Sequence, residues 1–307
     1  MYCCSPIEHT GSVYNNRIFV KRDDKLPFSY GGNKVRFAEA FVKDMQSQGK
    51  NAMIAYGSKS SNLCRVLAQM CCDKNIPCAV VYSEDEHTDT NNSRIVSSLG
   101  VREYACAKTE VANTVQKAIE DFEAQGMNPY YIYGSTLGTG NELTPVSAYI
   151  KVYDEISEYE SEQGITFDYI FMAVGTAASY SGILARAEEL SHKRNITGIS
   201  VARPGSRCTE IIRGNLKLYL KREVTDPQIE VCDEYLEGGY GKASEEELRE
   251  IDFIYENFGL PLDPTYTGKA WFGMKNYLAE KGIKNKNILF IHTGGYPLFC
   301  DYKDIKL

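Results

Sequence analysis

A repeated switch from a short apolar run, through a glycine- and hydroxyl-rich loop, into a helix-period stretch constrains this chain more than any other feature. The run Ala52, Met53, Ile54, Ala55, Tyr56 reads as a strand, and Leu63, Val66, Leu67 and Met70 follow at the spacing of one helix face. Residues 79–82 predict the next strand and 91–99 the next helix. Val111, Val115, Ala118, Ile119 and Phe122 stripe another. The glycine-rich segment 134–141 interrupts the alternation and reads as a crossing between domains. A second set then follows: helix 147–161, strand 169–173, helix 180–191, strand 199–201, a helix after Arg207 and strand 229–231. Ser244 and Glu247 have the spacing of a capping box, and a helix over 268–281 precedes strand 288–291. Consecutive parallel strands need a crossover, and a helix is the usual one. The expected class is therefore α/β, with two open, twisted, largely parallel sheets and helices on both faces.

Charge and cysteine usage exclude several functions. With a net charge of −7 the chain lacks the basic face that nucleic acid requires. No stretch approaches the 18 or so apolar residues of a membrane helix, and no secretory signal opens the chain, so a cytoplasmic location is expected. The ten cysteines contain no C-x-x-C pair, and the four histidines, at 9, 87, 192 and 292, match no zinc spacing. Reduced, mostly buried thiols and no metal are expected.

Four loops combine glycine, hydroxyl groups and one reactive side chain just after a strand, where open α/β sheets bind ligands. The first ends in Gly31, Gly32, Asn33 and Lys34, just before a helix striped by Phe37, Phe41 and Met45. A lysine near a helix start and sheltered from water has a lowered pKa, which suits a Schiff base. The second carries Ser60, Ser61 and Asn62, whose free amides suit a carboxylate, although a plain N-cap has the same sequence. The third, Gly175, Thr176, Ala177, Ala178, Ser179, suits a phosphate and lacks the lysine of a nucleotide P-loop. The fourth is paired: Asp263, Pro264, Thr265, Tyr266, Thr267, Gly268, and His292, Thr293, Gly294, Gly295. Tyr266 could serve as acid or base, while Thr267 and Thr293 could bond a neutral ring nitrogen. A single histidine at a strand end is read as structural.

Together, PFSYGGNKVRF, the Ser-Ser-Asn before Leu63, DPTYTGKA and FIHTGG resemble the 1-aminocyclopropane-1-carboxylate deaminase and D-cysteine desulfhydrase family of pyridoxal-phosphate enzymes. The resemblance spans about Arg17 to Phe299, with the motifs in the family's order. It implies the tryptophan synthase β-like fold (type II among pyridoxal-phosphate enzymes). A larger domain from 1–36 and 148–307 would carry an inserted smaller one, 37–147, and homodimers are usual. Lys34 would be the Schiff-base lysine and Asn62 the partner of the ring hydroxyl. Ser61, with the amides of Asn62 and Leu63, would receive the substrate carboxylate, and loop 175–179 the phosphate. Tyr240 and Tyr266 match two tyrosines that face the substrate.

Thr267 and Thr293 resemble the desulfhydrase branch, whereas the cyclopropane-opening branch carries glutamate and leucine there. A carboxylate at the pyridine nitrogen keeps it protonated, while a threonine leaves it nearer neutral. That suffices when thiolate leaves early, so the expected reaction is α,β-elimination from a small amino acid to pyruvate, ammonia and sulfide. Lys34 or a tyrosine would remove the Cα proton. Ring opening, β-replacement and racemisation on the same fold are the rivals, as is a binding module that has lost its cofactor. The last draws on Ala177 and Ala178, which stand where the family has a glycine and a hydroxyl residue. Alanine resists positive φ, and a lost phosphate contact weakens binding by about 1 kcal/mol.

Overall fold

The strand β7 (Tyr169–Val174) buries Ile170, Phe171, Met172 and Val174, the signature of a strand covered on both faces. Its side chains divide with a period of two: Ile170, Met172 and Val174 join one hydrophobic cluster and Phe171 another. β10 (Asn287–His292) divides likewise, with Leu289 and Ile291 against Ile288 and Phe290. In this computed structural model, which describes residues 4–83, 89–224, 228–236 and 239–307, these two strands lie at the centre of a six-stranded sheet. Its other strands are β1 (Ile7–Val13), β2 (Asn16–Arg22), β8 (Asn195–Ser200) and β9 (Glu230–Cys232), in the order β1-β2-β10-β7-β8-β9. Only the β1–β2 pair is antiparallel; the other pairs are parallel.

A second, wholly parallel sheet contains β3 (Ala52–Gly57), β4 (Cys78–Ser83), β5 (Arg102–Cys106) and β6 (Pro129–Tyr131), ordered β5-β4-β3-β6. Helices α1 (Asn33–Ser47), α2 (Asn62–Asp73), α3 (Asn91–Ser98), α4 (Val111–Glu123) and α5 (Leu143–Gln163) belong to this half of the sequence and its exit. α6 (Ala178–Glu189), α7 (Gly205–Leu220), α8 (Glu245–Phe258), α9 (Thr267–Glu280) and α10 (Tyr296–Tyr302) complete the fold. This is the expected α/β class, with two largely parallel sheets.

Several elements differ from the sequence expectation. The hairpin strand β1, the edge strand β5 and the three-residue β6 carry weak patterns: β1 and β5 alternate partly exposed residues and β6 is too short to show a period. β8 begins four residues before the expected strand, at Asn195. At α8, Ser244 Oγ accepts from the Glu247 amide at 3.1 Å as expected of a cap. The Glu247 side chain, however, is fully buried instead of reaching back to the Ser244 amide. Among the described residues no helix is long and apolar enough to cross a membrane.

Candidate active site

A cavity of about 380 Å³ opens where the carboxyl ends of both sheets meet. Crossover connections bring loops from β2, β3, β6, β7, β8 and β10 to this one edge. Lys34, Ser61, Asn62, Leu63, Gly175, Thr176, Ala177, Ala178, Ser179, Tyr240, Tyr266 and Thr293 all line it, although they are spread over most of the chain.

Lys34 reaches the cavity because the 23–33 loop is locked from below. Buried Asp23 accepts hydrogen bonds from Ser5, Arg36 and Tyr149, and its carbonyl accepts from the Gly32 amide at 2.7 Å. The Asn33 amide donates to the Thr293 carbonyl at 2.9 Å, tying the start of α1 to the end of β10. The amine of Lys34 sits 4.4 Å from the centroid of the Phe37 ring and, among the described residues, has no hydrogen-bond or ion-pair partner. Desolvation lowers its pKa to about 8. An enclosed amine with no carboxylate beside it among the described residues has a substantial neutral fraction near neutrality, the form that attacks an aldehyde.

Ser61 caps α2, its Oγ accepting from the Cys64 amide at 3.2 Å, and Ser61, Asn62 and Leu63 at the start of α2 line the cavity. Across from it, loop 175–179 runs into α6. Ala177 adopts φ 67°, the left-handed conformation the sequence disfavours, and Asn33 Nδ2 donates to Ser179 Oγ at 3.0 Å. Left-handed alanine is strained by roughly 1–2 kcal/mol, and α6 begins directly after this turn at the cavity wall. Ala177→Gly is therefore expected to raise apoprotein stability by about 0.5–1 kcal/mol in urea denaturation, after offsetting the added freedom of the unfolded chain. No gain would mean that the turn carries no strain.

Tyr240 and Tyr266 face each other with their hydroxyls 2.6 Å apart. Burial, with Tyr240 alongside, pushes the Tyr266 phenol well above its ordinary pKa, so it stays protonated. Tyr266 is held by its backbone: its amide donates to Asp263 Oδ1 at 2.8 Å. Thr267 stands apart from the expected set. It is fully buried, its Oγ1 donates to Asp263 Oδ2 at 2.8 Å, and it does not line the cavity. Among the described residues no cation pairs with Asp263, and burial raises its pKa to about 6. It therefore draws the donors of the α9 start, and the cofactor contact expected of Thr267 is replaced by this capping role. Of the two threonines, only Thr293 faces the cavity.

His292 is sealed below the site. Its Nδ1 accepts from the Gly294 amide at 3.2 Å, and desolvation lowers its pKa. Tyr56, Tyr133 and Arg203 also line the cavity and escaped the sequence reading. Tyr133 follows β6, the strand too short to recognise; Tyr56 lies at the end of β3 and Arg203 just after β8, and only their place at strand ends could have flagged them. Glu237 and Gly238, beside Tyr240, and His87 lie outside the described residues. Among the described residues no cluster of His, Cys, Asp or Glu could hold a metal ion.

The cavity fits pyridoxal phosphate: a partnerless enclosed amine for the aldehyde, a helix-start cradle for the phosphate, and amide and hydroxyl groups for the ring. The two-sheet fold and this site define a pyridoxal-phosphate enzyme of the tryptophan synthase β-like class. The family of pyridoxal-phosphate dependent enzymes matches residues 5–294, and the chain belongs to that family. It is 27% identical to a D-cysteine desulfhydrase of Klebsiella pneumoniae over 316 aligned residues, covering 97% of this chain and 93% of that protein. A D-cysteine desulfhydrase of Serratia proteamaculans is 29% identical over 298, covering 93% and 88%. Among solved structures, an ACC deaminase homologue superposes with a TM-score of 0.84 at 25% identity, covering 98% of this chain and 92% of that one. A hydrogen sulfide-producing enzyme of Fusobacterium nucleatum shares the fold, with a TM-score of 0.62 at 18% identity and 95% of each chain covered.

Proposed function

We propose that this protein is a lyase of the D-cysteine desulfhydrase type, converting a small β-thiol amino acid and water to pyruvate, ammonia and sulfide, and that it works as a homodimer. The observation that carries the reading is the absence of any Asp or Glu among the described cavity residues, with the Thr293 hydroxyl at the far wall. Without a carboxylate to hold a pyridine nitrogen protonated, the site suits a reaction whose leaving group departs readily, and thiolate does. Bound pyridoxal phosphate supplies an electron sink for the pair left at Cα.

The chain's own residues supply the rest. The amides at the start of α2, with the Ser61 side chain, hold the substrate carboxylate. The 175–179 loop fixes the phosphate, and the Asn62 amide meets the ring oxygen. Lys34, with its amine near pKa 8, takes the Cα proton once it is free. Tyr266, hydrogen-bonded to Tyr240 and held protonated by burial, acts as the donor to departing sulfur. The tyrosine pair also sets the face of approach and thus the choice between D and L substrate.

The test is a panel of D-cysteine, L-cysteine and 1-aminocyclopropane-1-carboxylate, scored for sulfide, pyruvate and 2-oxobutanoate. Sulfide and pyruvate in equal amounts from D-cysteine are expected. Release of 2-oxobutanoate from the cyclopropane substrate, or label exchange at Cα without sulfide, would replace this reading with ring opening or racemisation. Analytical ultracentrifugation checks the dimer.

A further inference from the structure

The buried side of Asn62 holds an arrangement that the reaction above does not use. Arg65 lies one turn along α2 and is 1% exposed, yet among the described residues all its acceptors are neutral. Its Nε donates to Asn92 Oδ1 at 2.7 Å, and its Nη1 donates to Ser29 Oγ at 2.6 Å and to the Ser29 carbonyl. Its Nη2 reaches Asn62 Oδ1 at 3.4 Å. Asn92, which is fully buried, donates through Nδ2 to the same Asn62 Oδ1 at 3.1 Å and to the Ser60 carbonyl at 2.7 Å.

Two donors therefore converge on one oxygen of the Asn62 amide. A flipped amide would set its NH₂ against both of them, so the hydrogen-bonding fixes Asn62 with Oδ1 inward and Nδ2 toward the cavity. Asn62 Nδ2 has no partner among the described residues. A buried guanidinium without a carboxylate is costly unless something else supplies the negative charge. Desolvation lowers the Arg65 pKa to about 10, which still leaves it charged near neutral pH.

We propose that Arg65 and Asn92 are positioning residues that aim the Asn62 amide as a donor at the anionic ring oxygen of the bound cofactor, with the Arg65 charge polarising that donor. This rests on the reading that Asn62 meets the ring oxygen. Arg65 also grips Ser29 in the loop that leads to Lys34, so one guanidinium registers the two segments that hold opposite sides of the cofactor ring. Among the described residues the titratable and charged groups facing the cavity are Lys34 on α1, Tyr56 at the end of β3, Tyr133 after β6, Tyr180 on α6, Arg203 after β8, Tyr240 and Tyr266. None of them hydrogen-bonds Arg65 or Asn92 among the described residues, and Arg65 otherwise meets only the Tyr30 ring, 5.7 Å from its centroid.

The experiment titrates the visible band of the holoenzyme with pH and measures pyridoxal-phosphate affinity by equilibrium dialysis, in Asn62→Ala, Asn92→Asp, Arg65→Met and Arg65→Lys. A donor and a positive charge at the ring oxygen favour the deprotonated chromophore, so losing them moves the midpoint up. Asn92→Asp is isosteric, neutralises Arg65 and turns the Asn62 amide, so it tests the idea even if Arg65→Met does not fold. Asn92→Asp and Arg65→Met are expected to raise the midpoint by about one pH unit and weaken cofactor binding about tenfold. Arg65→Lys, which keeps the charge, is expected to recover most of both. If Asn62→Ala leaves the midpoint in place, the assignment of Asn62 to the ring oxygen fails. If Asn62→Ala moves it but Asn92→Asp does not, the assignment of Asn62 stands and the positioning role is overturned.

Discussion

Lys34→Ala, purified and incubated with pyridoxal phosphate, is expected to lack the visible band that borohydride abolishes in the parent protein. Its turnover should fall by about 10³-fold or more, since both the covalent anchor and the proton acceptor are lost. The expectation follows from the cavity's composition: among the described residues Lys34 is the only lysine lining it, so no neighbour can substitute. The amine's pKa of about 8 adds a sign. Only the neutral amine attacks an aldehyde, so the rate of apoenzyme loading should climb about tenfold per pH unit below 8 and level off above it. A rate flat from pH 6 to 9 would show that the amine is not desolvated as the enclosed site requires. A residual borohydride-sensitive band in Lys34→Ala would move the anchor to another lysine.

Gly294→Ala is expected to be a strongly damaging small change outside the reacting groups. Gly294 has φ 95°, and a Cβ there would lie 2.5 Å from the Gly32 Cα. Gly32, at φ 97°, returns the crowding, with its own Cβ position 2.9 Å from the Thr293 carbonyl. Both obstacles are backbone, so neither yields by a rotamer change. The 31–33 loop, which delivers Lys34, must move against the 293–295 loop, which delivers Thr293. We expect a stability loss of about 2–4 kcal/mol in urea denaturation. Cofactor affinity should fall with it, because the displaced loop leads directly into Lys34 at the cavity wall. A loss under about 1 kcal/mol would mean that the two loops are not in contact in solution.

These two positions also mark how far the sequence can be read. Lys34, the 175–179 loop and the Asp263–Thr267 turn were visible as local chemistry, because glycine, small residues and one reactive group after a strand have few other uses. Which of them meet depends on strand order. β2 and β10 are adjacent although they stand at opposite ends of the chain, and local periodicity carries no information about that pairing. Thr267 shows the cost of reading motif membership as orientation. It lies one residue from Tyr266, but the first turn of α9 points it at Asp263 instead of the cavity. Arg65 shows the converse: its position on α2 marks only a helix face, and its partners Ser29 and Asn92 come from distant segments.

By itself, then, the sequence determined the α/β class, the parallel sheets, the four loops that line the cavity and the lysine among them. Period and composition act over a few residues, and those features are made of such runs. The tertiary structure alone decided that Ala177 accepts a left-handed turn, that Thr293 and not Thr267 faces the cavity, and which way the Asn62 amide points. The Asn62 amide, for one, is oriented by buried Arg65 and Asn92, the latter from a distant segment, and burial is a property of the assembled chain.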